Sequence, residues 1–358
     1  MVPVRMVGSP PFREIQHRTF AKQDNNLAKI LSYIGLVIGL AIMTGLIAWQ
    51  GLGEVSDIIL ASGWPILLVP LAWSPTVVFG TLTWRLLFEP GKEPGFKDIF
   101  MALWMGRSVN TLLPVASLGG EVVKARMLIL WGYPKAEASA SVVVDKTVQV
   151  FGVIIWGLIG VTLLVHYSVE QELVAAALTG FAALGAGVAG FILVQKAGIA
   201  RTMVNSAHKI TRADYFENLK DGADRVDVCV REIYSRRGRL VLSVFWRVLA
   251  LILQTAEVWA AAYVLGYPIT VMEAMFLKSM TSTLSDVAFV IPNAYGIQEG
   301  AFVVLGAMLG HPPDLMLAIS LSIRIRELLV DIPGLVIWQH AEGRHFFKKR
   351  RLSASEET

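Results

Sequence analysis

The chain has 358 residues, of which 54% are hydrophobic and only 17% are charged. This composition excludes an ordinary soluble domain, in which about a quarter of the residues are charged. The net charge of +4 comes from basic residues in alternate loops, a pattern that indicates membrane topology rather than nucleic-acid binding. The single cysteine, Cys229, excludes an intrachain disulfide. Because histidines are few and show no zinc-type spacing, we expect neither a metal nor a cofactor.

Apolar stretches that are long enough to cross a bilayer as helices, about 20 residues each, recur along the chain. They are Ile30–Trp49, Trp64–Phe88, Val148–His166, Leu173–Val194 and Leu240–Gly266. The length of the chain leaves room for roughly seven or eight spans. The first stretch is too long for the apolar core of a cleaved signal peptide, so we expect it to remain as a span.

The loops alternate in charge. Basic residues dominate the amino-terminal segment 1–29, the long stretch 196–239 and the tail 342–358, whereas the loop after the first span carries Glu54 and Asp57 without a basic residue. Because cytoplasmic loops carry an excess of Lys and Arg, we expect a multi-pass protein of the bacterial inner membrane with both termini in the cytoplasm.

The cytoplasmic stretch 197–238 is too polar to be a span. Val226, Val230 and Ile233 lie at helical spacing among charged residues, which is typical of an amphipathic helix. One interpretation is a helix on the lipid headgroups; the other is a short soluble helical pair.

The two halves of the chain repeat one unit, in which a span precedes an apolar helix that breaks at a proline and glycines and then resumes. The units align without a gap over about 64–166 and 242–341. Pro114 aligns with Pro292, Glu121 with Glu299, Gly132 with Gly310, Pro134 with Pro312, Lys146 with Arg324, and Gln149 with Glu327. Chance apolar similarity does not match a proline, a glutamate and a Gly-x-Pro in one register, so we interpret the units as a duplication within a transmembrane domain over 30–341.

The breaks predict a re-entrant helix pair in each unit. A break at membrane depth frees backbone groups that lipid cannot hydrogen-bond, so it must lie against protein or a water-filled cavity. The hinge residues would be Asn110, Pro114, Gly119, Gly120, Pro292, Gly296 and Gly300. The alternative is that each pair crosses fully as two ordinary spans.

Counting crossings places the two units in opposite orientations. The predicted fold class is therefore all-α: a polytopic integral membrane protein with two inverted repeats, each containing a broken re-entrant helix pair. Secondary transporters have this layout, with the binding site where the repeats meet.

Charged residues within apolar stretches are expensive and usually face a cavity or a partner. Glu121 and Glu299 each open a half-helix, where a carboxylate caps free N–H groups or else forms a substrate or proton site. The aligned cations Lys146 and Arg324 are the better candidates for a phosphate. The candidate substrate-binding residues are Glu121, Lys124, Asp145, Lys146, Glu299, Arg324 and Glu327. We expect Lys124 to pair with Glu121, and Arg324 to pair with Glu327, each one turn away on its helix. The second pairing leaves Asp331 without an expected partner.

The segments around the two breaks resemble the membrane region of lysylphosphatidylglycerol synthases, a flippase-like family. The resemblance rests on Asn110–Pro114, Gly119–Arg126 and Pro292–Gly300 and covers roughly Ile30–Ala341. The family's second motif usually has glycines where this chain has Asn293-Ala294, so we expect its hairpin turn to differ. The stretch 138–147 resembles the hopanoid-biosynthesis-associated branch. The aminoacyl-transferase domain of full-length synthases is absent here, so synthesis of an aminoacyl lipid is not expected.

The resemblance implies a lipid translocase, not an enzyme, that moves a polar-headed lipid, anionic or isoprenoid- and hopanoid-related, between leaflets. The alternative is a non-catalytic accessory that holds lipid-biosynthetic enzymes at the membrane through the stretch 197–238. A membrane-embedded enzyme has the least support, since no nucleophile–base set is visible. The expected partners are membrane lipids, with lipid-biosynthetic enzymes and a second copy of the chain left open.

Overall fold

The computed structural model describes residues 62–113, 119–167, 216–287, 292–294 and 296–355, together with Thr179 and Leu193. Several predicted features therefore lie outside the described residues: the segment 1–29, the span Ile30–Trp49, nearly all of the span Leu173–Val194, the first part of the cytoplasmic stretch, and Pro114.

The described part of the chain is helical and contains no β-strand. A 3-10 turn, Trp64–Leu67, leads into the first helices, which are α1 Leu68–Trp73, α2 Pro75–Arg85, α3 Phe96–Leu112, α4 Gly119–Leu130 and α5 Lys135–Tyr167. The later helices are α6 Phe216–Ser235, α7 Arg237–Leu253, α8 Thr255–Val264, α9 Val271–Val287, α10 Ile297–Met308 and α11 Pro313–Ser355, with a short 3-10 turn at Pro292–Ala294.

Three helical segments of the described residues are long and apolar enough to cross a membrane: Trp64–Arg85, Lys135–Tyr167 and Arg237–Val264. Each coincides with, or contains, an apolar stretch that the sequence predicts as a span. The prediction of an all-α membrane protein is confirmed. At 1.5 Å of rise per residue, the 33 residues of α5 extend about 50 Å, which exceeds the roughly 30 Å hydrocarbon core of a bilayer.

Corresponding parts of the two units form helices of the same length. Helices α3 and α9 have 17 residues each, and α4 and α10 have 12 residues each. The turns that follow α4 and α10 contain Gly132 and Gly310, both with positive φ (96° and 78°). An L side chain would be strained at those angles, which explains why both turns use glycine.

The helices of one unit pack against those of the other. Helix α7 packs on α2 and α8 packs on α1, so the run α7–α8 lies antiparallel to the run α1–α2. In addition, α3 packs on α11, and α9 packs on α5. Two units of opposite orientation would make such contacts. That the two units are inverted repeats stays a prediction.

The first broken pair is held by a close backbone approach. Gly106 of α3 faces Gly120 of α4, and a Cβ on Gly120 would overlap the carbonyl oxygen of Gly106. The Asn110 side-chain oxygen accepts a hydrogen bond from the Gly120 N–H at 2.7 Å, so it satisfies a free donor in the first turn of α4.

The turn of the second broken pair has residues other than glycine in the left-handed region of backbone conformation. Asn293 and Ala294 both have positive φ (48° and 50°), and Gly296 follows at 81°. Positive φ is uncommon for residues other than glycine. The Glu299 side chain accepts a hydrogen bond from the Gly296 N–H at 2.7 Å and so caps α10. Glu299 therefore forms the cap that the sequence suggests, and its role in binding a substrate stays a prediction.

Helix α6 is amphipathic, as predicted, but protein covers its apolar side. Val230 and Ile233 are buried, Val226 is half-buried, and the helix packs chiefly on α5. The interpretation of this stripe as a surface for headgroups is wrong, because α5 offers the apolar partner that lipid would otherwise supply.

Cys229 of α6 gives this packing a chemical readout. Burial raises the pKa of its thiol, and the carboxylates of Glu232 and Glu137 raise it further. Because the thiolate is the reactive form, we expect iodoacetamide to modify Cys229 more slowly at neutral pH than in the unfolded chain. Glu232→Gln should speed the reaction. Mass spectrometry across a pH series measures both rates, and equal rates in folded and unfolded chains would contradict the packing.

Candidate functional site

The amino-terminal cluster is a buried group of charges that joins the first broken pair to the long helix after it. It consists of Glu121, Lys124, Asp145, Lys146 and Arg247. The Lys124 ammonium lies 2.6 Å from Glu121 and 2.6 Å from Asp145. Arg247 approaches the other oxygen of Asp145 at 3.3 Å. The Lys124 side chain is 3% exposed and that of Asp145 is 0% exposed, so each charge depends on its partners for stability.

Lys146 differs from the other cations of this cluster. Its Nζ lies 3.7 Å from Glu121 Oε1, which is within ion-pair range and too long for a hydrogen bond. Its side chain is 31% exposed. Lys146 is therefore the cation of the cluster that is both accessible and loosely held.

The carboxy-terminal cluster is larger and lies on α3 and α8–α11. Its members are Arg107, Glu257, Lys278, Glu299, Arg324, Arg326, Glu327 and Asp331. These are four cations and four carboxylates, so the cluster is electrically balanced.

Arg324 and Glu257 are the two centres of this cluster. Arg324 lies 2.9 Å from Glu299 and 2.9 Å from Glu327, and its side chain is 1% exposed. Glu257, fully buried on α8, pairs with Lys278 of α9 and with Arg326 of α11, the latter at 2.9 Å. One carboxylate thus joins three helices.

Two tryptophans stabilise cations of the clusters through their rings. Two guanidinium groups lie over the ring of Trp73, with the Arg107 Cζ 4.2 Å and the Arg326 Cζ 4.7 Å from its centroid. Trp84 faces the Lys124 ammonium at 4.9 Å. Such contacts are stronger when desolvated, and both rings are buried.

The repeat predicts one feature of both clusters. Glu121 and Glu299 occupy the first turn of α4 and of α10, and each pairs with the aligned cation, Lys146 or Arg324, of the following helix. The same pairing therefore occurs twice, tightly in the second unit and loosely in the first.

Comparisons with known proteins identify the family of the chain. The family model for the lysylphosphatidylglycerol synthase TM region matches residues 36–334. The chain belongs to this family. A relative, the UPF0104 membrane protein of Methanocaldococcus jannaschii, is 21% identical over 310 residues, which are 82% of this chain and 90% of that protein. No solved structure matches the chain.

Every candidate site residue falls in one of the two clusters of this member of the lysylphosphatidylglycerol synthase TM region family. The predicted pairs Lys124–Glu121 and Arg324–Glu327 both form. The expectation that Asp331 is left over is wrong, because Arg107 of α3 lies 3.3 Å from it.

The predicted hinge residues contribute unequally. Asn110 and Gly120 close the first pair, and Gly119 begins α4. Gly296 is the N-cap residue of α10. Gly300 lies within α10, and no atom lies within 4 Å of the position that a Cβ would take there, so close packing does not explain that glycine.

Some of the strongest contacts were not among the predicted site residues. Glu257, Lys278, Arg326 and Arg107 are recognisable in the sequence as charges inside apolar stretches, but not as partners of one another. Their aligned positions in the other unit are Phe79, Phe100, Val148 and Ser285, which are uncharged. The internal repeat therefore does not mark these four residues as part of a site. No sequence feature marks Trp73 as a partner of the cations either.

Proposed function

We propose that this protein moves a lipid with a phosphate-bearing headgroup between the leaflets of the membrane, without changing the lipid covalently. Membership of the lysylphosphatidylglycerol synthase TM region family indicates a function related to membrane lipids. The two polar clusters are the reason to propose translocation in particular. A headgroup needs compensating charges to pass the hydrocarbon core, where an unpaired charge is expensive.

The proposal rests on an ion pair that occurs once in each unit. In both units a glutamate in the first turn of the short helix pairs with a cation of the following long helix, and the two cations occupy aligned positions. Glu121 with Lys146, and Glu299 with Arg324, connect each short helix to the long helix that follows it. In secondary transporters, broken helices from two repeats form the binding site near the midplane. The antiparallel contact of α7–α8 with α1–α2 supports a similar arrangement here.

In this mechanism the headgroup competes with the glutamate for the cation. The phosphate binds a lysine or arginine through charge-assisted hydrogen bonds, and the pair between short and long helix opens. Movement of the short helix about its break then exposes the headgroup to the other side. The acyl chains stay in the bilayer, alongside apolar side chains that the protein leaves exposed, such as Val122 and Val304 of the short helices.

Charge removal at the loosely held pair should slow transport. We expect Lys146→Gln to reduce flipping of acyl-labelled phosphatidylglycerol in proteoliposomes by about tenfold or more, because one charge-assisted hydrogen bond contributes roughly 1.5–3 kcal/mol. Dithionite quenching of the outer-leaflet label measures the rate.

The control is Lys92→Gln, which removes an equal charge from an exposed loop lysine that pairs with Glu89. It should keep the wild-type rate. No acceleration by the wild-type protein over empty liposomes, across anionic, aminoacyl and isoprenoid lipids, would refute the proposed function.

The resemblance of the stretch 138–147 to the hopanoid-associated branch supports a lipid of hopanoid metabolism as one substrate. This stretch lies in α5 and contains Asp145 and Lys146 of the amino-terminal cluster. Measuring which lipid accumulates in cells that lack the protein tests this assignment.

A second candidate function is that of an accessory that binds lipid-biosynthetic enzymes. One observation favours it: a groove of 840 Å³ lies between α6 and the start of α5, lined by charged residues that include Lys135, Glu137, Asp224 and Arg225. Under this alternative, Lys135→Ala with Arg225→Ala would abolish function in cells while Lys146→Gln would be silent.

A further inference from the structure

The turns that follow the two short helices share one backbone geometry. In each turn, the residue after the left-handed glycine donates its N–H to a carbonyl of the last helical turn, Tyr133 to Leu128 at 3.1 Å and His311 to Gly306 at 2.9 Å. These are the long-range bonds of the Schellman motif, which ends a helix at a glycine. The aligned positions 133 and 311 therefore occupy equivalent places at the far ends of α4 and α10.

Tyr133 connects the far end of α4 to the start of α3. Its hydroxyl donates a 2.7 Å hydrogen bond to Asp98, the third residue of α3, and accepts one from the Gly95 N–H at 3.3 Å. Burial raises the pKa of this hydroxyl, and the hydrogen bond to Asp98 raises it further. Because a tyrosine hydroxyl ordinarily titrates near pH 10, this contact does not respond to pH in the neutral range.

His311 makes the corresponding contact in the second unit. Its Nε2 lies 3.5 Å from Oε1 of Glu273, the third residue of α9. The other oxygen of Glu273 accepts hydrogen bonds from the N–H and the hydroxyl of Thr270 at 2.7 and 2.8 Å, which fixes the carboxylate in place. The Nε2 atom is buried and has no hydrogen-bond partner within the described residues. Protonation of the imidazole gives Nε2 a donor and a positive charge beside this carboxylate.

The neighbouring groups leave Glu273 as the partner of His311. The other titratable side chains at this end of the surrounding helices are Asp314 of α11, His166 and Tyr167 of α5, and Tyr263 of α8. The Tyr167 ring contacts Phe276 of α9 at 5.5 Å, which places the end of α5 beside the start of α9. None of these groups forms an ion pair with His311 or Glu273 in the part of the chain that the structure describes. His166 also titrates in the neutral range, so it requires a control.

We propose that His311 and Glu273 form a proton-operated latch on the short helix of the second unit. When His311 is protonated, its charge pairs with Glu273 and ties the end of α10 to the start of α9. When it is neutral, this tie is weakened and α10 can move about its break. A histidine suits this role because its charge changes between about pH 5 and 8. The inference rests on the proposed translocation and adds its regulation by pH.

The latch is expected on the outer side of the membrane. The span Arg237–Val264 follows the basic stretch 196–239, which the charge pattern places in the cytoplasm, and α9 begins directly after this span. Acidification outside the cell should therefore slow transport, whereas the Tyr133 contact of the first unit stays unchanged.

The test measures flipping of short-chain fluorescent phosphatidylglycerol in proteoliposomes by albumin extraction. The pH is set on both sides to about 5.5 or about 8, outside most of the range in which histidine titrates, and the phosphodiester keeps its charge at both values. We expect the wild-type protein to flip this lipid at least about threefold faster at the higher pH, the factor that a partly exposed ion pair gives.

Two substitutions of His311 should remove this pH dependence in opposite ways. His311→Leu cannot donate to Glu273, so its rate should be high at both pH values. His311→Tyr installs the residue of the first unit, so its rate should be low at both. The matched control is His166→Leu, which removes an exposed histidine from the same end of the protein and should keep the wild-type pH dependence.

Unfolding in detergent tests the contact without transport. A double-mutant cycle of His311→Leu and Glu273→Gln isolates the coupling of the two side chains, which we expect at about pH 5.5 and not at about pH 8. No coupling at the lower pH, or a pH dependence of flipping that both His311 variants retain, would overturn the latch and leave translocation intact. If the wild-type protein moves phosphatidylglycerol at neither pH, translocation itself fails, and the coupling still decides whether the contact forms.

Discussion

Glu257→Ala is expected to cause one of the largest losses of stability in this protein. Glu257 is fully buried and is the shared partner of Lys278 and Arg326. Removing one partner of a buried ion pair leaves an uncompensated charge and costs about 3–5 kcal/mol. Lys278 would bear most of this cost, because Arg326 keeps Glu327 at 3.6 Å and the ring of Trp73. Unfolding in detergent micelles, followed by tryptophan fluorescence, measures the change.

Two further variants make this prediction specific. Glu342→Ala removes a carboxylate that pairs with Arg126 at an exposed position, where an ion pair contributes less than about 1 kcal/mol. The double variant Glu257→Gln with Lys278→Met should recover part of the lost stability, because it also removes the stranded ammonium. Equal effects of Glu257→Ala and Glu342→Ala would show that the buried cluster has no special role in the fold.

Gly120→Ala is expected to open the first broken pair. The added methyl group would overlap the Gly106 carbonyl oxygen and the Asn110 side chain. A carbonyl in the middle of a helix cannot rotate away, so helices α3 and α4 must separate. Overpacking of this kind costs about 1–3 kcal/mol and sometimes more, and here it also displaces the acceptor of the Gly120 N–H. The midpoint of thermal unfolding in detergent measures the loss.

Gly300→Ala is the matched control, since it places the same methyl group on the short helix of the other unit with nothing within 4 Å. Because alanine favours a helix over glycine by about 0.8–1.0 kcal/mol, Gly300→Ala should be neutral or stabilising. A destabilisation by Gly300→Ala as large as that by Gly120→Ala would mean that any side chain on a short helix is harmful, whatever it contacts.

The helix pattern was predictable from the sequence because it depends on local features. Apolar length predicts the spans, and the aligned Gly132 and Gly310, each two residues before a proline, predict turns that the structure contains. The pairing of Lys124 with Glu121, one turn apart, was predictable for the same reason.

The partners of distant charges were not predictable. Arg107 and Asp331 are far apart in the sequence, and nothing near either residue indicates that α3 packs on α11. The burial of α6 against α5 was missed for a related reason, since an amphipathic stripe shows that something apolar covers it without identifying the partner. Local periodicity determines helices, whereas partner choice depends on how the helices assemble.

The charge balance of the carboxy-terminal cluster has an electrical consequence. A charge that moves across the membrane field gains or loses about 2.3 kcal/mol per 100 mV. Arg107, Lys278, Arg324 and Arg326 are matched by Glu257, Glu299, Glu327 and Asp331. If α8–α11 shift as one body, together with the part of α3 that carries Arg107, the opposing contributions cancel. The membrane potential then does almost no work on this cluster, whereas the amino-terminal cluster, with three cations against two carboxylates, keeps a net charge on which the potential can act.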